Sequence, residues 1–109
     1  MSYVDQLREY LAAYSSKNLQ AIEAMLDEDA TLQDWNLAVR GKAAVLRETD
    51  KNFEAARSID IEIKREFANG RDAAAELLIV IDGTVRLEVV DVVRFNASGL
   101  IESIKSFKG

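Results

Sequence analysis

Tyr10, Asp34 and Asp91 are the residues of this chain whose types and positions could support acid–base chemistry. The sequence contains no histidine and no cysteine, which excludes imidazole catalysis, thiolate nucleophiles, disulfides and metal sites built from those ligands. Proton transfer would therefore have to use carboxylates, lysines or tyrosines. We expect any chemistry to depend on these two aspartates and this tyrosine.

Asp91 is the most unusual of the three because it interrupts an apolar strand face. The stretch TVRLEVVDVVRF, residues 84–95, alternates with the period of a β-strand. One face carries Val85, Leu87, Val89, Asp91, Val93 and Phe95. An ionised carboxylate in an apolar layer is costly unless it is paired, hydrogen-bonded or protonated. Asp91 is therefore either a functional acid or the acceptor of a structural hydrogen bond, for example from a helix end.

Tyr10 and Asp34 have structural explanations beside the functional ones. Tyr10 lies in the apolar stripe of a predicted helix, where a tyrosine often packs in the core and bonds a backbone carbonyl. Asp34 belongs to a predicted strand of mixed polarity, so it could simply lie at an exposed sheet edge. Both alternatives stay open at this point.

Three amphipathic helices and one strand are predicted in the first half of the chain. The first helix follows a capping-box pattern at residues 2–5 and runs to about residue 14. The second follows Asn18 as N-cap and ends in the acidic stretch LDEDA, after which residues 30–39 form one strand. The third begins after Gly41. Its predicted inward stripe is Val45, Leu46, Thr49, Phe53 and Ala56.

The second half of the chain is predicted to be an antiparallel meander. Strands are expected at about residues 59–67, 73–81, 84–95 and 100–107. The hairpin dipeptides Asn69-Gly70 and Asp82-Gly83 and the segment 96–99 would join them. One face of the first of these strands is predicted to hold Ile59, Ile61, Ile63, Arg65 and Phe67, and Arg65 either pairs with a charge or marks where the strand leaves the core. Such an order of elements predicts an α+β fold with the helices on one face of a curved sheet.

Length and composition predict one globular domain spanning residues 1–109. The chain is 49% hydrophobic and 30% charged, as is typical of soluble domains. Because it lacks a long apolar segment and a signal-peptide pattern, we expect a cytoplasmic protein without a membrane partner. The net charge of −5 and the lack of a basic, aromatic-rich cluster predict that it does not bind nucleic acid.

Four stretches resemble the superfamily of ketosteroid isomerases, SnoaL-like polyketide cyclases and nuclear transport factor 2-like proteins. They are EYLAAYSSKNLQAIEAML, DEDATLQDW, VRGKAAVLRE and VVDVVRFNASGLIESIKSF, and together they cover most of the chain. The resemblance implies a cone-shaped α+β barrel, also called cystatin-like, with a pocket between the helices and the concave sheet. It also implies a homodimer formed through the outer face of the sheet.

The resemblance assigns roles to the same three residues. Asp34, in ATLQDW, stands where the isomerases place the general base, and Tyr10, in REYLAAY, matches an oxyanion-hole tyrosine. Asp91, in VVDVVRFN, matches the aspartic acid held protonated beside it. The implied activity is proton transfer α to a carbonyl of a small apolar substrate, isomerase-like or cyclase-like, without metal or organic cofactor. We expect the pocket to be lined also by Tyr14, Asn36, Phe53, Leu87, Val89 and Phe95.

The match to the isomerases is incomplete, and two other functions stay open. Trp35 follows Asp34 where the isomerases typically have proline, and Thr49 and Asp50 occupy the region of their second tyrosine. One alternative is a hydratase or hydrolase in which Asp34 activates water. The other is a non-catalytic ligand-binding or dimerisation module, because this fold hosts many roles.

Overall fold

Three helices pack on one face of a six-stranded sheet in the computed structural model, which describes residues 2–109. The helices are α1 (Tyr3–Ser15), α2 (Leu19–Met25) and α3 (Lys42–Ala55). The strands are β1 (Leu26–Gln33), β2 (Ala38–Arg40), β3 (Ile59–Asn69), β4 (Asp72–Ile81), β5 (Val85–Phe95) and β6 (Ile101–Lys108), in the sheet order β2-β1-β6-β5-β4-β3. No helix within the described range is long and apolar enough to cross a membrane.

Local capping interactions begin the first two helices where the sequence predicted them. The Ser2 hydroxyl accepts a hydrogen bond from the backbone N–H of Asp5 at 3.1 Å, and the Asp5 carboxylate accepts one from the backbone N–H of Ser2 at 3.4 Å. This is the reciprocal pair of a capping box. The Asn18 side chain accepts from the backbone N–H of Ala21 at 3.1 Å, which caps α2. Both predicted helix starts are confirmed.

The predicted meander is confirmed, since β3, β4, β5 and β6 pair in order and each pair is antiparallel. Its second turn has Asp82 at φ 54° and Gly83 at φ 72°, the left-handed backbone that an Asp-Gly hairpin dipeptide favours. Asp91 of β5 lies opposite Ala75 of β4 and Ser106 of β6. Because Ala75 is 1% exposed and Asp91 7% exposed, Asp91 lies on the helix-covered face.

Helix α2 ends at the start of the acidic stretch, with Leu26 as its C-cap, but that stretch is itself part of a strand that was not predicted. Helix α2 stops at Met25, and residues 26–33 form β1, in which Leu26 and Ala30 are buried. Strand β1 pairs in parallel with β6, with Leu26 opposite Ile101. Parallel pairing with a strand from the far end of the chain makes these acidic residues part of β1, which no local pattern predicts. The sheet is therefore mixed, with one parallel pair beside an otherwise antiparallel arrangement.

The single strand predicted for residues 30–39 is instead a hairpin of β1 and β2. The chain turns between them at Asp34, whose Oδ1 accepts hydrogen bonds from the backbone N–H groups of Asn36 at 2.7 Å and Leu37 at 3.0 Å. Aspartate commonly forms such turns because its short carboxylate reaches the backbone two residues ahead. Asp34 therefore sits in a rigid turn and not in the middle of a strand.

Strand β3 leaves the core at Arg65, which confirms both alternatives given for this residue, whereas Phe67 does not share the buried face of Ile59. The pairing of β3 with β4 shifts between Ile63 and Arg65, where one extra residue forms a β-bulge. The bulge moves the following odd-numbered residues to the outer face, where Arg65 forms an ion pair with Glu76 at 2.9 Å. The Arg65 guanidinium lies 5.9 Å from the centre of the Phe67 ring, which is 56% exposed.

The hydrophobic core lies between the helices and the inner face of the sheet. Its largest fully buried side chains are Leu7, Ile22, Leu26, Val45, Leu77, Val93, Phe95, Ile101 and Ile104. On the outer face, Val90 and Phe107 lie opposite each other and are 39% and 54% exposed. A homodimer formed through this face stays a prediction.

Candidate active site

A cavity of about 210 Å³ lies between α1, α3 and the inner face of the sheet. Its apolar wall consists mainly of Leu32, Ile61, Ile79, Ile81, Leu87 and Val89. Its polar side chains come from α1, α3, β5, β6 and the turn between β1 and β2, which borders it with Trp35. Its size and apolar wall suit a small organic ligand held by a few polar contacts.

The structure brings all three candidate residues to this cavity. Tyr10 reaches it from α1, Asp91 from β5 and Asp34 from the turn after β1. Tyr10 and Asp91 are 4% and 7% exposed, whereas Asp34 is only partly buried. Four of the other expected lining residues also border the cavity: Tyr14, Asn36, Leu87 and Val89.

Phe53 and Phe95 do not line the cavity, contrary to expectation. The Phe95 ring stacks on Tyr3 with ring centroids 5.0 Å apart, because the start of α1 covers this end of β5 and closes the core over it. Phe53 packs behind the cavity wall, where Tyr14 covers it edge-to-face at a centroid distance of 5.0 Å. Both rings therefore support the site from the core without reaching a ligand.

Asp91 is a buried carboxyl group with one hydrogen-bond donor and no cationic partner among residues 2–109. The Ser106 hydroxyl donates to Asp91 Oδ1 at 2.6 Å. Burial raises the pKa of Asp91 to about 6, and the Ser106 hydrogen bond, which favours the ionised form, limits the rise. Below about pH 6 the group is mostly a neutral acid that can donate a hydrogen bond, and above it the group is mostly a carboxylate.

Tyr10 is suited to be a neutral hydrogen-bond donor. Burial, assisted by nearby Tyr14 and Asp91, raises the pKa of Tyr10 well above its ordinary value, so it keeps its proton at all physiological pH values. Within residues 2–109 its hydroxyl has no hydrogen-bond partner, although the side chain lines the cavity. A ligand oxygen would give this hydroxyl the acceptor that it lacks.

Asp34 is held in place through one of its two carboxylate oxygens. Its Oδ1 accepts the two backbone hydrogen bonds of the turn, and its Oδ2 has no hydrogen bond to any group in residues 2–109. An oriented carboxylate with one free oxygen at the side of a cavity has the geometry that a general base requires.

Sequence reasoning missed Ser106 and Asn52, which both line the cavity. Counting from the pair Phe95–Ile101 would place Lys105 opposite Asp91, but the register shifts between Arg94 and Phe95 and brings Ser106 there instead. A shift of one residue at a bulge carries no signal in the sequence. Asn52 was missed because α3 was analysed only for its apolar stripe.

Replacing Ser106 with alanine should raise the pKa of Asp91 further, since the hydroxyl stabilises the carboxylate. A hydrogen bond to a charged group contributes about 1.5–3 kcal/mol, which corresponds to roughly one to two pKa units. An NMR titration of the Asp91 carboxyl carbon measures the shift, with Ser103→Ala on the same strand as control. An unchanged titration would mean that solvent in the cavity replaces the Ser106 hydroxyl.

Comparison with known proteins gives one family match and several similar folds. A model of the SnoaL-like domain family matches residues 7–104. An NTF2-like protein of unknown function from Cytophaga hutchinsonii has a TM-score of 0.84 at 16% identity, over 100% of this chain and 91% of that one. A protein from Kribbella flavida, proposed to be a ketosteroid isomerase, has a TM-score of 0.85 at 21% identity, over 98% and 77%.

An LEH-like epoxide hydrolase from M. tuberculosis is also similar, with a TM-score of 0.79 at 17% identity, over 98% of this chain and 82% of that one. No curated protein sequence matches the chain. At these identities the solved structures establish the fold and leave the activity open.

Proposed function

The chain belongs to the SnoaL-like domain family, and from that premise we propose that it transfers a proton α to the carbonyl group of a small apolar substrate, without a cofactor. The observation that supports this proposal is that Tyr10, Asp34 and Asp91 line one cavity, two of them buried and the third in a fixed turn. The reaction is of the isomerase or cyclase type.

Each of the three side chains has a role in the proposed reaction. The free oxygen of Asp34 removes a proton from the carbon next to the carbonyl. The C–H electron pair forms a carbon–carbon double bond, and the carbonyl π pair moves onto the oxygen to give an enolate. Tyr10 and protonated Asp91 donate hydrogen bonds to that oxygen and stabilise its charge. Asp34 then returns the proton to a different carbon, which completes an isomerisation with no net gain or loss of atoms.

The protonation state of Asp91 sets a condition on this reaction. With a pKa of about 6, raised by burial, about one Asp91 in ten carries a proton at pH 7. A bound ligand that fills the cavity removes more water from Asp91 and favours the neutral acid further. We therefore expect donation by Asp91 to be complete only in mildly acidic solution.

Binding of 4-chlorophenol, whose oxygen resembles the enolate oxygen in size and in its position on a planar ring, tests the site directly. We expect saturable binding at pH 5, where Asp91 is mostly protonated and donates to the phenol oxygen together with Tyr10; above pH 6 the phenol can instead donate its own proton to the Asp91 carboxylate. The Asp91→Asn variant should have a flat pH profile, because its amide donates at every pH. The Tyr10→Phe variant should bind about tenfold more weakly throughout. Fluorescence of Trp35, which lines the cavity, reports binding.

The matched control for Tyr10→Phe is Tyr3→Phe, because the Tyr3 ring stacks on Phe95 in the core and does not line the cavity. This variant should bind the phenol as the unmodified protein does. Binding at pH 5 that is unchanged when Asp91 is replaced by alanine would remove Asp91 as a donor. A folded protein that does not bind the phenol at all would contradict the proposed ligand class.

A ligand-binding protein without turnover is the second candidate function. The observation that favours it is the pKa of Asp91, which burial raises only to about 6, so that most molecules hold a carboxylate there at neutral pH. Phenol binding would be the same for both functions. Proton exchange at the carbon next to a carbonyl would occur only in the enzyme.

A further inference from the structure

A second tyrosine borders the cavity one helical turn beyond Tyr10. Tyr14 also projects from α1, and the two ring centroids are 6.0 Å apart. Residues four apart on a helix share a face, so both side chains approach the cavity from the same side. The reaction described above uses only the hydroxyl of Tyr10.

The Tyr14 hydroxyl accepts a hydrogen bond from the protein and keeps its own proton available. The side-chain amide of Asn52, on α3, donates from Nδ2 to Tyr14 Oη at 2.9 Å. A phenol hydroxyl has one proton and can accept as well as donate, so accepting from Asn52 leaves that proton unused. No group in residues 2–109 accepts it. The ring is held against Phe53, with centroids 5.0 Å apart.

The environment of Tyr14 keeps it neutral while strengthening it as a donor. Burial raises the pKa of Tyr14, as do the nearby carboxylates of Asp91 and Asp34, and the amide of Asn52 acts in the opposite direction. Because a hydroxyl that accepts a hydrogen bond becomes more polarised, it donates its own proton more strongly. Asn52 is an exposed residue, yet it also borders the cavity.

We propose that Tyr14, oriented by Asn52, donates a hydrogen bond to the same ligand oxygen as Tyr10, and that the pocket thereby selects ligands with an enolate-like or phenolate-like oxygen. This inference rests on the proposed function. Tyr10, Tyr14 and Asp91 together supply three donors to one oxygen. A ketone oxygen has two lone pairs and an enolate oxygen has three, so the third donor interacts fully only after the proton has left.

The test uses 4-nitrophenol at pH 5.5, with affinity and visible absorbance of the bound phenol as readouts. Tyr14→Phe should weaken binding by about tenfold, because one donor to the bound phenolate is lost. The absorbance spectrum of the bound ligand should also shift toward that of neutral 4-nitrophenol. Asn52→Asp should have the same two effects. A carboxylate can only accept, so it would take the Tyr14 proton away from the ligand while keeping the size of the side chain.

A double variant separates this effect from a simple change in charge. If Asn52 acts through Tyr14, then adding Asn52→Asp to Tyr14→Phe should weaken binding no further. Asn52→Asp could also weaken binding with its full effect in the Tyr14→Phe background. That result would overturn the positioning role, because the added charge would then be repelling the ligand directly. Unchanged binding in Asn52→Asp alone would also overturn it, since the native amide would then be accepting the Tyr14 proton.

Different binding results would contradict the role of Tyr14 and the proposed function. If Tyr10→Phe weakens 4-nitrophenol binding but Tyr14→Phe changes neither readout, the second donor is absent and the proposed function stands. If the unmodified protein does not bind the phenol, both fail. Thermal unfolding of each variant checks that the fold is retained, which we expect because Tyr14→Phe keeps its ring contact with Phe53.

Discussion

Replacing Asp34 with asparagine should lower the rate of α-proton exchange by about 10²–10⁴-fold while leaving the fold intact. The asparagine carbonyl can still accept the backbone hydrogen bonds of Asn36 and Leu37, so the turn keeps its shape. The free carboxylate oxygen, however, becomes an amide nitrogen that cannot take up a proton. The variant therefore removes the base and preserves the scaffold that positions it.

Exchange of deuterium into a small cyclic β,γ-unsaturated ketone in D₂O, followed by NMR, measures this step even when no net isomerisation occurs. Asp29→Asn is the matched control, because Asp29 is an exposed carboxylate on β1, shortly before the same turn, and does not line the cavity. It should exchange at the unmodified rate. Exchange that survives Asp34→Asn would identify a different base, and phenol binding without any exchange would favour the ligand-binding function.

The second large effect is on stability: Asp91→Asn should raise the free energy of unfolding at pH 8 by about 3 kcal/mol. Burial raises the pKa of folded Asp91 from an ordinary 3.8 to about 6, a difference of about two units at about 1.4 kcal/mol each. Between these values the folded protein binds more protons than the unfolded chain, so stability falls as pH rises. Asparagine carries no charge to desolvate and can still accept from Ser106.

Urea unfolding at pH 4 and pH 8 measures the difference. At pH 4 Asp91 is mostly protonated in the folded protein, so the variant and the unmodified protein should be nearly equally stable. Asp60→Asn, an exposed residue of β3, makes the same change in net charge and should change stability little at either pH. A loss of stability in Asp91→Asn at pH 8 would show that the carboxylate is held by interactions that an amide cannot replace.

Asparagine should remove activity at position 34 and raise stability at position 91, because the two acids have different surroundings. Asp34 is anchored by backbone donors in a turn, where an asparagine fits equally well. Asp91 is desolvated and has a single hydroxyl donor, so its charge is a cost to the folded state. A base and a neutral donor can coexist in one site when one acid, here Asp34, lies in a polar environment and the other, here Asp91, lies in an apolar one.

The parts of the fold that were predicted correctly depend on interactions between residues close in sequence. The cap at Ser2 involves residues three apart, and the turn at Asp82 and Gly83 joins strands that are consecutive in the chain. The burial of Asp91 was predicted because strand alternation fixes which side chains share a face once one face is apolar. Errors arose where that alternation is interrupted, as at the bulge before Arg65.

Local periodicity and turn chemistry control the three helices, the meander and the placement of Tyr10 and Asp91 on buried faces, so these features could be predicted from the sequence. Long-range contacts in the folded protein set the parallel pairing of β1 with β6, the register that brings Ser106 to Asp91, and the contact of Asn52 with Tyr14. These contacts join distant parts of the chain, and they depend on how helices and sheet close around a cavity. No local pattern encodes that closure.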